Sequence, residues 1–427
     1  MLLGFKTELK VNNTQRIWLA KHAGVARHAW NWGLSLTKKI LNNNQENTNN
    51  KIKFPSAIDL HKWLVALVKP ECPWYYEVSK CAPQYALRHL KRAWDDCFKK
   101  AKASPRFKKK GRADSFTLDG SITVEHQRIK VPRIGWLKTY ERLPQGIKPK
   151  SVTISKRADK WFISFKIETE GTNRGVESSR HRSVFSRRRT DDSTPQNNPI
   201  SADLGLLRFA TLSTGEKVDS PRPYKQLEQK LRRLQWLNRR QIIGSSNWKK
   251  TQIKIAKLHY RISCIRSDFL HKLTTRLAKN HSQIVIEDLN ISGLIKNGKL
   301  SKAIADSGFY EFRRQLLYKT ELYGSELIIA DRFFASSKLC PKCKHKKDKL
   351  PLNVRVYQCD NNNCDWVADR DYSASLNLLG LAEPDVSTQV ETMPVEKQEP
   401  TLFEEAGTKD QSRLDFVQLC LPLSKFV

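Results

Sequence analysis

Two pairs of closely spaced cysteines and three acids in apolar surroundings are the residues of this chain best suited to chemistry. Cys340 and Cys343 enclose two residues, and after fifteen more Cys359 and Cys364 enclose four, "DNNN". Zn²⁺ is held tetrahedrally by four soft ligands, and two hairpin-borne pairs supply them without a large core. Two intervening residues are commoner than four, so the second knuckle is expected to be the looser. His345 could compete as a ligand, although four cysteines already close a structural site. A closed site leaves no open position for a reacting group, so catalysis is expected nearby, not at the cysteines themselves. Cys72, Cys81, Cys97, Cys264 and Cys420 are scattered along the chain and read as packing residues.

Asp203 sits inside the apolar run "ISADLGLLRF", Glu287 ends "IVIE" with Asp288 beside it, and Asp371 opens "DYSASLNLLG". Asp is depleted in strands, and a carboxylate in such a run needs a partner or a task. Two divalent cations about 3.5–4 Å apart can bind between carboxylates of this kind, one activating water and one stabilising the leaving oxygen of a phosphodiester. Mg²⁺ prefers such oxygen ligands. Each acid also has a structural reading: Asp369 or Asp371 as a helix N-cap, Asp203 as the partner of an arginine. Glu287 and Asp288 are strand neighbours and point to opposite faces. One of the two can serve a common site, and the pattern does not say which.

The charge of the chain narrows the substrate. Its 427 residues carry 77 Lys and Arg against 43 Asp and Glu, a net +34 that exceeds what solubility requires and points to a nucleic acid. No apolar run of membrane-spanning length occurs, and "MLLGFKTELK" turns polar too soon for a signal peptide. A cytoplasmic location with reduced cysteines and no membrane partner is therefore expected.

These residues need elements to hold them. "FKTELKV" alternates as a strand, residues 15–41 carry helical spacing, and a second helical stretch begins at Cys81, so residues 12–103 read as mainly helical. Trp30, Trp32 and Trp94 fit a core at that spacing, as does Trp136 further on. The basic loop "SPRFKKKGRADSF", with Arg106, Lys108, Lys109, Lys110 and Arg112 beside Phe107, suits phosphate contacts with some stacking. Short alternating runs follow, as in a small barrel. Residues 171–198 are poor in apolar residues and rich in Arg and Ser, as in a flexible linker. From residue 199 strand and helix patterns alternate, giving an α/β layer. They include amphipathic helices with Leu227, Leu231 and Leu234 on one, and Leu258, Ile262, Ile265, Phe269 and Leu273 on the next. The acidic tail at 383–427 reads as disordered.

The segments "RHAWNWGLSL", "PRFKKKGRADSF", "ADLGL", "VIEDLNISGLIKNGKLSKAIADSGFYEFRRQLLYK", "CPKC" and "DRDYSAS" resemble the TnpB family. These are the OrfB-type proteins of bacterial insertion sequences, compact relatives of the type V CRISPR effectors. The resemblance implies a multidomain α/β chain. Its RNase H-like (RuvC) nuclease domain would cover 199–335 and 365–382, with a zinc ribbon for target nucleic acid at 336–364. A wedge-like β-barrel at 1–11 and 104–170 would carry an inserted helical recognition lobe at 12–103. The resemblance further implies that Asp203, Glu287 (in preference to Asp288) and Asp371 are catalytic and hold two Mg²⁺. One structural Zn²⁺ would lie among Cys340, Cys343, Cys359 and Cys364. The implied partners are a guide RNA from the transposon end and a double-stranded DNA target, and the implied activity is RNA-guided DNA cleavage.

Two positions depart from the family pattern. Ser373 stands where Asn is usual in the last motif, and Ala202 where a larger aliphatic residue is common. The first departure motivates an alternative, a nuclease-inactive RNA-guided DNA-binding regulator. Direct strand transfer would call for a dedicated Tyr or a pair of His, and no two-His motif of that sort is evident.

Overall fold

Helix α1 (Asn13–Glu46), which follows strand β1 (Leu2–Lys10), starts at a capping box: Gln15 N donates to Asn12 Oδ1 (2.8 Å), and Asn12 N donates to Gln15 Oε1 (3.1 Å). The helix continues past Leu41 because Asn44 exchanges hydrogen bonds with the backbone of Ile52 at 2.7 and 2.8 Å, anchoring the last turn. The computed structural model describes residues 2–47, 51–112, 114–144, 146–168, 198–351 and 353–382. Residues 171–197 of the expected linker, the expected tail at 383–427 and Cys420 lie outside them. The described residues fall into two units, 2–168 and 198–382.

In the first unit α3 (Cys81–Phe98) packs against both α1 and α2 (Ala57–Trp63). At Gly33 a Cβ would meet the side chains of Leu87 and Leu90 at 2.8 and 2.9 Å, so any larger residue would make those leucines shift. Trp30, Trp32 and Trp94 are buried here as expected, and Trp136 is half-buried. Six further strands follow: β2 (Ser115–Asp119), β3 (Thr123–Glu125), β4 (Arg128–Val131), β5 (Gly135–Thr139), β6 (Ser151–Arg157) and β7 (Lys160–Glu168). With β1 they form one antiparallel sheet in the order β2-β6-β7-β1-β5-β4-β3. Strand β1 pairs with β7 along Leu2–Glu8 and then with β5 through Leu9 and Lys10. No pairing joins β2 to β3 among the described residues.

The second unit is a mixed α/β layer. Strands β8 (Ile200–Leu204), β9 (Ala210–Leu212) and β10 (Lys217–Val218) form an antiparallel meander. Helices α4 (Pro223–Arg239) and α5 (Ser246–Asn280) then lead to β11 (Gln283–Glu287), parallel to β8. Helices α6 (Ile291–Lys296), α7 (Ser301–Ser307) and α8 (Phe309–Tyr323) lead to β12 (Glu326–Ala330), parallel to β11. Parallel neighbours require such helical crossovers. Buried Asp306 of α7 accepts the backbone N–H groups of Tyr224 and Lys225 in the first turn of α4 and pairs with Arg266 at 3.0 Å. It satisfies donors that a helix start leaves unpaired. Last come the hairpin β13 (Val356–Gln358) and β14 (Val367–Asp369), and helix α9 (Arg370–Leu379).

Candidate active site

The two-residue period of a strand sorts the central sheet into two faces. Ile200, Ala202, Ile284 and Ile286 point into a core with Leu273, Phe312 and Leu316 of α5 and α8. Ser201 and Val285 point the other way: the Ser201 hydroxyl donates to Ser375 O of α9, and Val285 packs against Leu378 of α9. The parallel register pairs Ile200 with Ile284 and Ala202 with Ile286. One step on, Asp203 and Glu287 lie side by side at the C-terminal ends of β8 and β11, on the α9 face. Asp371, Ser375 and Leu378 follow at i, i+4 and i+7 of α9, which is one helical face. Asp371, at the start of α9, is near enough for its charge to act on both strand acids. The helix also brings the positive end of its dipole toward them.

Electrostatics follows from that crowding. Burial first, then the charges of Glu287 and Asp371, push the Asp203 carboxyl well above the ordinary range. The Arg370 guanidinium opposes this while hydrogen-bonding to Pro351 O (3.1 Å) and Ser337 Oγ (3.5 Å). Burial also raises Glu287, against the hydrogen bond it accepts from Ser336 Oγ at 2.5 Å, and Asp371 adds to the rise. The Asp371 carboxylate has Arg355 Nη1 at 3.8 Å. Asp288 belongs to a different network. Burial would raise it, but hydrogen bonds from Arg332 (2.6 Å) and Arg313 outweigh that and hold it below the usual value. Of the two neighbours, Glu287 is the one beside Asp203 and Asp371. The N-cap reading falls on Asp369, whose Oδ1 accepts Asp371 N at 2.9 Å and whose Oδ2 pairs with Lys217 at 2.6 Å.

The four cysteines are gathered more tightly than the acids: all their sulfurs lie within 4.8 Å of one another. Sγ of Cys340 and Cys364 are 3.6 Å apart, as are those of Cys343 and Cys359. Zn–S bonds of about 2.3 Å in a tetrahedron put sulfurs about 3.8 Å apart, so the donor set fits zinc. The His345 backbone N–H lowers the Cys343 thiol to about 6, while burial pushes Cys359 up to about 12. Such a set cannot ionise together without a cation among them. The His345 side chain turns to Asp360 instead, at 3.2 Å. The hairpin carrying the second pair closes only at Asp369, so the cysteine element runs directly into α9.

Three residues that carry no signal in the sequence tie this ribbon to the acids. Asn377, buried in α9, donates from Nδ2 to Ser336 O and Leu339 O, both at 2.8 Å, just ahead of Cys340. Trp366 Nε1 donates to Ser373 Oγ at 3.1 Å, and Ser336 holds Glu287. Hydrogen bonds 41 and 49 residues apart leave no periodicity by which they could be found. The five cations of the basic loop differ in their surroundings. Arg106, Lys109, Lys110 and Arg112 are exposed, but Lys108 lies 4.0 Å over the Trp30 ring, and its ammonium is lowered by burial. Its backbone is pinned by Asn31, which turns its side chain back onto α1. Cys264, expected to pack, is exposed on α5, whereas Cys72 and Cys81 are buried.

Comparison with known proteins places the chain. A family described as "Probable transposase", of the OrfB type, matches residues 175–298. A "Cas12f1-like, TNB domain" matches residues 309–378, which include the four cysteines. A "Helix-turn-helix domain" of OrfB proteins matches residues 1–46, where the structure has β1 and one unbroken helix. "Putative RNA-guided DNA endonuclease" of Streptomyces pristinaespiralis is 39% identical over 72% of this chain and 73% of its own length. "Putative RNA-guided DNA endonuclease InsQ" of Escherichia coli (strain K12) is 31% identical over 94% of this chain and 98% of its own. A solved Cas12f1–sgRNA–target DNA complex aligns with 90% of this chain and all of its own at 11% identity, with a TM-score of 0.33, too low to bear on the fold. Among the described residues no helix is long and apolar enough to cross a membrane. With identity at this level running through nearly the full length of a relative, the chain belongs to the TnpB family of OrfB-type transposon proteins.

Proposed function

We propose that this protein is a transposon-encoded RNA-guided DNA endonuclease, and that Asp203, Glu287 and Asp371 are its catalytic acids. The observation that carries this reading is the convergence of the three carboxylates at one end of neighbouring parallel strands, two of them raised by burial and mutual repulsion. A protein keeps so unfavourable a cluster where cations are to be held. Two Mg²⁺ ions between these carboxylates would supply an activated water and a counter-charge for the leaving oxygen of the phosphodiester. The chain's own contribution is positional. Strands β8 and β11 fix two acids side by side, α9 delivers the third, and Ser336 orients Glu287. The sheet order β10-β9-β8-β11-β12 supports an RNase H-like nuclease domain, with one Zn²⁺ in the cysteine ribbon contacting target nucleic acid. The first unit serves as the wedge-like barrel and recognition lobe, and Arg106, Lys109, Lys110 and Arg112 meet phosphates of the guide RNA or the DNA duplex. Ser373 Oγ accepts from Trp366 Nε1, so this residue docks the ribbon onto α9, a role its hydroxyl can fill without the amide usual at this position.

The test is reconstitution with the RNA that co-purifies with the protein. Target DNA is expected to be cut only with divalent metal, and Asp203→Ala is expected to slow cutting about a thousandfold or more while retaining target binding. Binding without metal-dependent cutting by the unmutated protein would instead establish the regulator.

A further inference from the structure

Phe333 is the most exposed large apolar side chain among the described residues, at 88%. Its neighbour Phe334 packs beside Val285, Ile328, Ala330 and Leu378, so apolar space close at hand is left to the adjacent ring. The backbone that carries Phe333 is fastened on both sides. Phe333 N donates to Asp331 Oδ1 (2.7 Å), Phe334 N to Asp331 O (3.1 Å), and Arg332 Nη2 to Asp288 Oδ2 (2.6 Å). Three residues on, Ser336 Oγ donates to Glu287 and Ser336 O accepts from Asn377. Single apolar residues on a surface normally need no explanation. This ring differs in standing on a fastened backbone three residues before Ser336, which holds Glu287, with Arg313 and Arg332 close by on Asp288. Three residues span at most about 11 Å, which corresponds to about three stacked nucleotides at about 3.4 Å each.

We propose that Phe333 stacks on an unpaired base of the DNA strand being cut, within about three nucleotides of the scissile phosphate, and so holds that phosphate against Asp203, Glu287 and Asp371. The proposal rests on the endonuclease reading and adds a substrate contact to it. Stacking needs only the π-face that every base has, so the contact is tolerant of sequence. It explains an aromatic residue at a place where an apolar packing role is already filled by Phe334.

The test is cleavage by the reconstituted complex carrying Phe333→Ala, Phe333→Leu, Phe333→Tyr or Phe333→Trp, on targets with a single abasic position moved along the cut strand. The expected result is cleavage slowed about five- to a hundredfold in the Ala and Leu variants, the loss of one base–aromatic stack, with Tyr and Trp restoring it. One abasic position should slow the unmutated protein equally and leave Phe333→Ala unaffected further. Equal rates for Phe333→Ala and the unmutated protein would overturn the proposal. So would a loss that Leu rescues as well as Tyr, or a lowered melting temperature in the Ala variant, since either means that the ring packs against protein. If the unmutated complex does not cut at all, the endonuclease reading itself has failed.

Discussion

Asp203 is a carboxylate that the fold makes costly to ionise. Its carboxyl is raised above the usual range by burial first and by Glu287 and Asp371 next, so its neutral form is the one the folded state prefers. The sign of the linkage follows. Below the unfolded carboxyl value of about 4 the residue is neutral in both states and costs nothing, and the penalty grows as pH rises through the folded value. Asp203→Asn is therefore expected to raise the melting temperature in a chelator at pH 7, and the gain should vanish below about pH 4. Mg²⁺ should stabilise the unmutated protein and leave the variant unchanged. A thermal melt series in pH with and without Mg²⁺ checks both, and a variant less stable than its parent at pH 7 would refute the repulsion. The residue types were legible from their settings in the sequence, Asp203 above all. The choice between Glu287 and Asp288 was not legible from the pattern of residues. It depends on two arginines, Arg313 and Arg332, that reach Asp288 from 25 and 44 residues away.

Helix α9 and the cysteine ribbon act as one element. Asn377 links the helix to Ser336 and Leu339, Trp366 links the hairpin to Ser373, and Ser336 passes the restraint to Glu287. Asn377→Ala leaves two carbonyls without their donor in a buried place, at a cost of about 1–3 kcal/mol. A lower urea midpoint is expected, together with a higher Mg²⁺ concentration for half-maximal cleavage. An unchanged Mg²⁺ requirement would reduce Asn377 to a packing role. On the proposed zinc site, a chelator should speed hydrogen exchange across residues 336–369 and the first turn of α9, because metal binding and folding are coupled in so small an element. Exchange unaltered by chelation would mean that the hairpin stands without metal. At this scale the sequence was most informative. Apolar runs marked β8 and β11, and 3.6-residue spacing marked α4 and α5. What periodicity lacks is register: that Ala202 faces Ile286, and hence that Asp203 meets Glu287, is fixed by the crossover helices.

The whole molecule is a polycation, and its binding to nucleic acid should be dominated by counterion release. Reversing Lys109 and Lys110 to Glu is expected to weaken RNA binding and to flatten the slope of log affinity against log salt by about 0.7–0.9 for each phosphate left without its cation. Filter binding at several salt concentrations measures it. Lys108→Glu should act differently, through weaker packing on Trp30, and show as a lower melting temperature. Composition treats the run as one patch, since a cation over a buried ring and a cation in water have the same letter in a sequence. The order of the acids along the chain has a consequence for synthesis. Asp203 and Glu287 emerge from the ribosome well before Asp371, which follows the entire ribbon. On the endonuclease reading, a polypeptide abandoned mid-translation lacks a ligand at the cutting centre, so an unfinished copy is harmless to the genome that encodes it.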